Sequence, residues 1–282
     1  MGGGLRSRLL GSTDRVQTLE YLAARADENL VLVDLAERLG RAPAEGEVTP
    51  QLHGVFDAGE LVGVASLRPS IALSSGMGSA ALDLLLPFLR RVPGGLIKSE
   101  SFLVGRVWEA LEALGRRSVI DRLEVAHRLR PEDMLAVPSS LPGVARPARP
   151  EDLDDLVQAA RASLWEEERP DPSDGDPAGF RRWVESRLSR ARVVTDEGRI
   201  VFVAYADVRR PQGWLVQGVY TWPEVRRRGF ARRGMDSVVR EAFASGATHV
   251  QLAVVQGNER ALALYRKLGF EPFGELRTIL YH

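Results

Sequence analysis

The sequence predicts a mixed α/β protein, an α+β arrangement of mixed sheets, built as two domains that share one element order. Two observations carry this. Apolar periodicity reads as ααβββαβαβ in the first half and again in the second, and a stretch crowded with breakers lies between them: Val137-Pro-Ser-Ser-Leu-Pro-Gly143, then Pro147 and Pro150. At 282 residues the chain also exceeds the usual domain length of about 100 to 200. The expected organisation is an N-terminal domain over 1–138, a linker over 139–150 and a C-terminal domain over 143–282.

In the first half, Val16, Leu19, Leu22 and Ala23, then Leu32, Leu35, Ala36 and Leu39, recur at helical spacing, with Gly40 as a stop. Gln51 to Phe56 and Leu61 to Leu67 flank Asp57-Ala-Gly-Glu60, which reads as a hairpin. A strand near Ser70 to Leu73, a helix with Leu82, Leu85, Leu86 and Leu89, and a short strand near Leu96 follow. A helix with Val104, Val107, Trp108 and Leu111 then leads into the alternating Leu123, Val125, His127, Leu129.

In the second half, Pro150 suits a first helical position, and Glu151 and Asp152 suit the positive end of a helix whose face is Leu153, Leu156, Val157, Ala160 and Leu164. Phe180, Trp183, Val184 and Leu188 make a second helix. Val193 to Glu197 and Ile200 to Ala206 form a hairpin across Glu197-Gly198, and Trp214 to Thr221 completes the meander. A long helix from Ala231 to Phe243, a strand from Val250 to Val255, a helix from Ala261 to Leu268 and closing strands from Phe270 to Tyr281 end the chain. The two halves share this order without an alignable sequence repeat.

Composition narrows the function. Thirty-eight basic and thirty-eight acidic residues cancel, so no global field recruits nucleic acid or an anionic membrane, and small ligands are the expected partners. The absence of cysteine excludes disulfides, thiolate zinc sites and a cysteine nucleophile. His53, His127, His249 and His282 stand singly, with no metal-clamping pair, and read as structural or exposed; no metal is expected. No stretch approaches the roughly 18 apolar residues of a membrane span, and the N-terminus lacks a signal-peptide core, so the expectation is a soluble cytoplasmic protein. Self-association is left open.

The chemistry concentrates where the strand Trp214 to Thr221 runs through Trp222-Pro-Glu-Val-Arg-Arg-Arg-Gly-Phe-Ala231 into an amphipathic helix. A glycine-containing turn at a helix N-terminus offers unpaired backbone N–H groups and the positive dipole end to a diphosphate. Gly229 permits a tight turn, Ala231 keeps the first helical turn small, and Arg226, Arg227, Arg228, Arg232 and Arg233 add positive charge.

This V-Y-T-W-P-E-V-R-R-R-G-F-A stretch resembles motif A of the GNAT superfamily of acyl-CoA-dependent N-acetyltransferases, Gln/Arg-x-x-Gly-x-Gly/Ala, matched at Arg226, Gly229 and Ala231. Downstream, Q-G-N-E-R-A-L-A-L-Y-R-K-L-G-F resembles the superfamily's second signature through Asn258, Ala261, Tyr265, Gly269 and Phe270. The resemblance implies a sheet whose fourth and fifth strands splay to admit pantetheine, and acetyl-CoA as co-substrate. It also implies that Val219, Tyr220 and Thr221 bond pantetheine and the acyl carbonyl through their backbone, and that Arg227, Arg228, Gly229, Phe230, Ala231 and Arg232 cradle the pyrophosphate. Asn258 would contact the cofactor arm and Tyr265 would protonate the departing thiolate. A phenol is also a reasonable donor to a thiolate on chemical grounds alone.

The implied activity is acetyl transfer to a primary amine, without metal or covalent enzyme intermediate; the alternative is a non-catalytic acyl-CoA sensor. Val250-Gln-Leu-Ala-Val-Val255 lacks the glutamate that many N-terminal acetyltransferases carry on this strand, so the base falls to Glu166, Glu167, Glu168 or a group on Tyr220. The acid-rich stretch 165–177 is expected to border the acceptor end of the cleft and attract a cationic amine. The matching turn in the first half, Ser74-Ser-Gly-Met-Gly-Ser79, has glycines but no basic residue, so the N-terminal domain is expected to be a degenerate GNAT-like domain without CoA binding.

Overall fold

The computed structural model describes residues 4–43, 48–171 and 173–282. Its strands and helices run β1 (Arg6–Leu9), α1 (Arg15–Ala23), α2 (Ala26–Glu37), β2 (Gln51–Asp57), β3 (Glu60–Arg68), β4 (Ala72–Leu73), α3 (Ser79–Leu89), β5 (Gly95–Glu100), α4 (Ser101–Glu112) and β6 (Ser118–Leu129). They continue with β7 (Arg146–Pro147), α5 (Leu153–Glu166), α6 (Pro177–Glu185), β8 (Ala191–Asp196), β9 (Arg199–Arg210), β10 (Gly213–Thr221), α7 (Phe230–Ala244), β11 (Val250–Val255), α8 (Glu259–Arg266) and β12 (Glu271–Tyr281). The order βααβββαβαβ therefore occurs twice. Each repeat opens with a short strand that periodicity misses, because β1 is largely exposed and β7 is two residues long.

The chain divides into two compact units, residues 1–126 with 273–282, and residues 127–272. The breaker-rich stretch 139–150 lies inside the second unit, and the last ten residues belong to the first. In the first unit, β1 to β4 form an antiparallel sheet in sequence order, and β12 lies between β5 and β6. Residues Leu276 to Tyr281 pair antiparallel with Glu100 to Gly95, while Ile279 and Tyr281 are buried in the cluster that α3 and α4 build with Leu82, Leu85, Val104 and Trp108. A second cluster joins α1 and α2 to β2 and β3 through Leu22, Leu32, Leu35, Leu52 and Val64.

The second unit repeats this plan. Its strands are ordered β11-β10-β9-β8-β7. Leu156, Ala159, Phe180 and Val184 of α5 and α6 pack with Val193, Val203 and Tyr220, and Met235, Val238 and Val239 of α7 pack with Phe202, Val216, Leu252 and Tyr265. Both hairpins expected from sequence form, and both turn through two central residues of positive φ, Ala58 (47°) with Gly59 (96°) and Glu197 (48°) with Gly198 (80°). Such a pair of left-handed residues matches the twist of the strands it joins. The predicted second helix of this half ends at Glu185, and Leu188 starts a separate 3-10 turn.

The repeat extends to side chains. Both guanidinium nitrogens of Arg8 donate to Asp14, at 2.7 and 2.6 Å, and Asp14 also accepts from the Gly11 N–H at 2.8 Å. Arg146 grips Asp152 in the same way, at 2.7 and 2.9 Å, and Asp152 accepts from the Arg149 N–H at 2.7 Å. The hydrogen bonds from Arg8 and Arg146 hold the two carboxyls below the ordinary aspartate range despite burial. This R-x5-D clasp at the entry to α1 and α5 is the shared signature that the two halves carry in their sequence.

Candidate active site

Strand β10 opens the site by changing partners. It pairs parallel with β11 at Trp214–Val250 and Leu215–Gln251. Beyond Leu215 its register is given by β9 alone, from Val216 opposite Ala206 to Thr221 opposite Phe202. A bulge between Gln217 and Tyr220, with Gly218 at φ +58°, bends the strand there. A bulge re-aims the side chains after it and increases local twist. The end of β10, carrying Val219, Tyr220 and Thr221, is thereby parted from β11 and leads to the basic turn.

That turn ends at Gly229, whose φ of +100° is open to glycine and strained for other residues. An added Cβ would stand 2.9 Å from Leu141 Cδ2. Gly229 is the N-cap of α7, and its carbonyl accepts the first intrahelical bond from Arg233 N at 3.0 Å, so the N–H groups of Phe230, Ala231 and Arg232 lie in the orphan first turn. Phe230 is buried beneath them and Ala231 adds only a methyl group. The backbone therefore has the form an anionic ligand needs, and a diphosphate fits it by this criterion.

The arginine side chains have other tasks. Arg226 donates through Nε to the Thr221 carbonyl at 2.8 Å and through Nη2 to both oxygens of Glu166 at 2.6 and 2.8 Å. Arg228 bonds Asp196 at 3.1 Å and lies over the Phe230 ring. Arg232 donates to the carbonyls of Ala136 and Lys267. Arg227 is exposed and holds a φ of +64°. Basic side chains here thus brace the loop, and the Thr221 carbonyl already has a donor.

Tyr265 sits on α8 with 6 % of its surface exposed, its ring edge-on to Phe270 at 5.5 Å. Burial pushes its phenol well above the ordinary value near 10, so it remains a proton donor at neutral pH. Asn258 caps the same helix, its Oδ1 accepting from Ala261 N at 3.1 Å, which leaves the amide nitrogen for other contacts.

Beside Tyr220 a cavity of about 390 Å³ is lined by Arg161, Trp165, Glu166, Asp171 and others. Tyr220 donates its hydroxyl to Glu166 Oε1 at 3.3 Å, and Arg260 reaches Glu166 Oε2 at 3.4 Å. Burial first, then the Glu166 charge and hydrogen bond, push the Tyr220 phenol up to about 12. Of the candidate bases, Glu166 and Tyr220 are thus brought together at the cavity, whereas Glu167 and Glu168 do not line it.

The acidic stretch is also less free than its composition suggests. Asp171 accepts from Arg161 and Ser173, Asp176 caps α6 by accepting from Gly179 N at 2.8 Å, and Glu166 is held by two arginines. Charges paired this way project little field beyond their partners.

The corresponding turn of the first unit is built differently. Five residues, 74–78, connect β4 to α3, against eight, 222–229, between β10 and α7. The Ser75 hydroxyl bonds the carboxylates of Glu28 and Glu100, and the Ser75 N–H donates to Asn29 Oδ1 at 2.9 Å. Arg25 also reaches this turn, donating to Ser75 Oγ and Glu28 Oε2 at 3.4 Å each, so two carboxylates face one guanidinium and the turn stays net acidic. Sequence reasoning noted the missing basic residues there but not these acids, which come from distant elements.

Residues 153–270 match the model of the acetyltransferase (GNAT) family. They form a GNAT-family domain. Solved structures extend the GNAT likeness over nearly the whole chain. A Drosophila protein is 15 % identical with a TM-score of 0.68, over 98 % of this chain and 99 % of its own. A GCN5-related N-acetyltransferase from Sphaerobacter thermophilus is 16 % identical with a TM-score of 0.57, over 98 % and 94 %. A tandem GNAT protein from the clavulanic acid biosynthesis pathway is 14 % identical with a TM-score of 0.54, over 99 % and 98 %. At such identities the likeness concerns the fold, and it is a GNAT-type mixed α/β fold in tandem. No curated protein matches the sequence. Among the described residues no helix is long and apolar enough to cross a membrane.

Proposed function

We propose that the second unit transfers an acetyl group from acetyl-CoA to a primary amine by direct attack. The observation that carries this reading is the parting of β10 from β11 after Leu215, next to a helix whose N-terminus is capped by Gly229 at φ +100°. Pantetheine would enter between the strands, and the pyrophosphate would rest on the N–H groups of Phe230, Ala231 and Arg232. Arg227, exposed at the turn, would meet the remaining phosphate charge.

The amine would occupy the cavity beside Tyr220, against the exposed face of Trp165. A protonated amine has a pKa near 10.4 and must lose a proton before attack. Glu166 is the proposed acceptor of that proton, directly or through water, with Tyr220 and Arg226 fixing its position. After collapse of the tetrahedral intermediate, Tyr265 would give its proton to the CoA thiolate. No hydrogen bond engages the Tyr265 hydroxyl among the described residues, which leaves it free to make that bond.

The decisive experiment is release of CoA thiol across a panel of amines. Turnover with a primary amine supports the enzyme; tight acetyl-CoA binding without turnover of any amine would instead make the protein an acyl-CoA sensor.

A further inference from the structure

We propose that the first unit carries a second ligand site, a cavity at the C-terminal end of α3 that takes a small carboxylic acid with an aromatic or branched apolar body. The cavity measures about 430 Å³, the size of a site for a compact metabolite. It lies between the start of β2, the end of β3 and the 91–96 segment, away from the 74–78 turn at the other end of α3.

Its walls divide by chemistry. Leu67, Ile71, Phe88 and Val92 supply apolar surface, with the His53 ring stacked at a tilt on Phe88, centroids 4.3 Å apart. Arg68 and Arg91 line the same cavity, both exposed; Arg91 lies over the Phe88 ring at 5.9 Å, and neither arginine has a carboxylate partner among the described residues. No aspartate or glutamate belongs to the described lining. Two guanidinium groups that meet no carboxylate among the described lining select one ligand charge, and the planar fork of arginine suits a carboxylate.

His53 supplies the third contact. It is 6 % exposed, and burial lowers its pKa below the ordinary histidine value, so it is neutral at pH 7. Its Nδ1 is sealed from solvent without a hydrogen-bond partner among the described residues. An unmet lone pair costs less than an unmet N–H, so hydrogen-bond bookkeeping puts the proton on Nε2. That N–H is the donor we assign to the ligand. The site owes nothing to the acetyl-transfer reading, since every lining residue belongs to the first unit.

The test is calorimetric or NMR titration of the full chain with phenylacetate, phenylacetamide and inorganic phosphate. Phenylacetate is expected to bind at least about ten-fold more tightly than the neutral amide or the phosphate. Arg68→Gln with Arg91→Gln, both at exposed positions, should weaken phenylacetate about ten-fold or more while leaving acetyl-CoA binding unchanged. Saturating acetyl-CoA should not displace phenylacetate. No binding up to about 10 mM, equal affinity for the amide or for phosphate, insensitivity to the double substitution, or displacement by acetyl-CoA would each overturn the proposal.

Discussion

Tyr265→Phe separates a catalytic phenol from a core aromatic, because the structure makes the two roles differ in what they predict. The ring of Tyr265 packs with Phe270, Leu268 and Phe230 in the second unit's core, and phenylalanine keeps that packing. No hydrogen bond engages the Tyr265 hydroxyl among the described residues, so the substitution breaks none there. Stability should change by no more than about 0.5 kcal/mol, or roughly 2 °C in Tm. Turnover should respond on a different scale. Loss of a general acid typically lowers a rate by about 100-fold to 10,000-fold, which is about 2.7–5.4 kcal/mol of transition-state stabilisation. The assay is single-turnover CoA release, so that chemistry rather than product release sets the rate, paired with calorimetric affinity for acetyl-CoA. A rate within about three-fold of the parent, or a large fall in Tm with a matching loss of activity, would refute the donor role.

Gly229→Ala forces a Cβ into a φ of +100° and to within 2.9 Å of Leu141, so it should cost about 1–2 kcal/mol, lower Tm by roughly 2–8 °C and weaken acetyl-CoA about ten-fold, all measurable by calorimetry. Glu166→Gln removes the proposed base and loosens Arg226; kcat/KM for the amine should fall by about 100-fold or more while the Kd for acetyl-CoA moves little, and an equal loss in both would make Glu166 a brace for the cofactor turn instead. Asp14→Asn and Asp152→Asn should each cost about 1–2 kcal/mol at pH 7, discounted for the partly exposed arginines. Because both folded pKa values are depressed, this stabilisation is present above pH 4 and lost as pH falls through them, so the variants should show shallower acid unfolding curves. Tyr205 and Tyr220 are pushed up to about 12, so the stability they contribute is full below pH 10 and declines from there toward pH 12, which alkaline unfolding followed by tyrosinate absorbance will reveal.

What could be read from the sequence was whatever local periodicity and turn chemistry encode. The hairpin turns at Asp57-Ala-Gly-Glu60 and Glu197-Gly198, the helix read from Ala231, which the structure starts at Phe230, and the strand at Val250 to Val255 all follow from short-range pattern, and the structure contains them. The clasp of Arg8 on Asp14 and of Arg146 on Asp152 was equally local, yet two charged residues six apart between breakers leave no periodic trace. The association of Glu166 with Arg226, Tyr220 and Arg260 joins residues 54 to 94 positions apart, and no composition rule foresees it. The same holds for Glu28 and Glu100 meeting at Ser75, which only the folded first unit brings together. His53, read from the sequence as structural or exposed, is buried beside Arg68 and Arg91, a grouping that only the fold brings about.

The last ten residues have a consequence in time. A ribosome delivers the chain from its N-terminus, and domains ordinarily fold as they emerge. The first unit cannot do so completely, because the strand that fills the gap between β5 and β6, with Ile279 and Tyr281 at its core, is made only after the whole of the second unit. Until then β5 has an unpaired edge and an apolar hollow, the condition under which nascent chains recruit chaperones or aggregate. The first unit thus closes only after the second has been made, and loss of residues 273–282 would injure the unit that precedes the second in the chain.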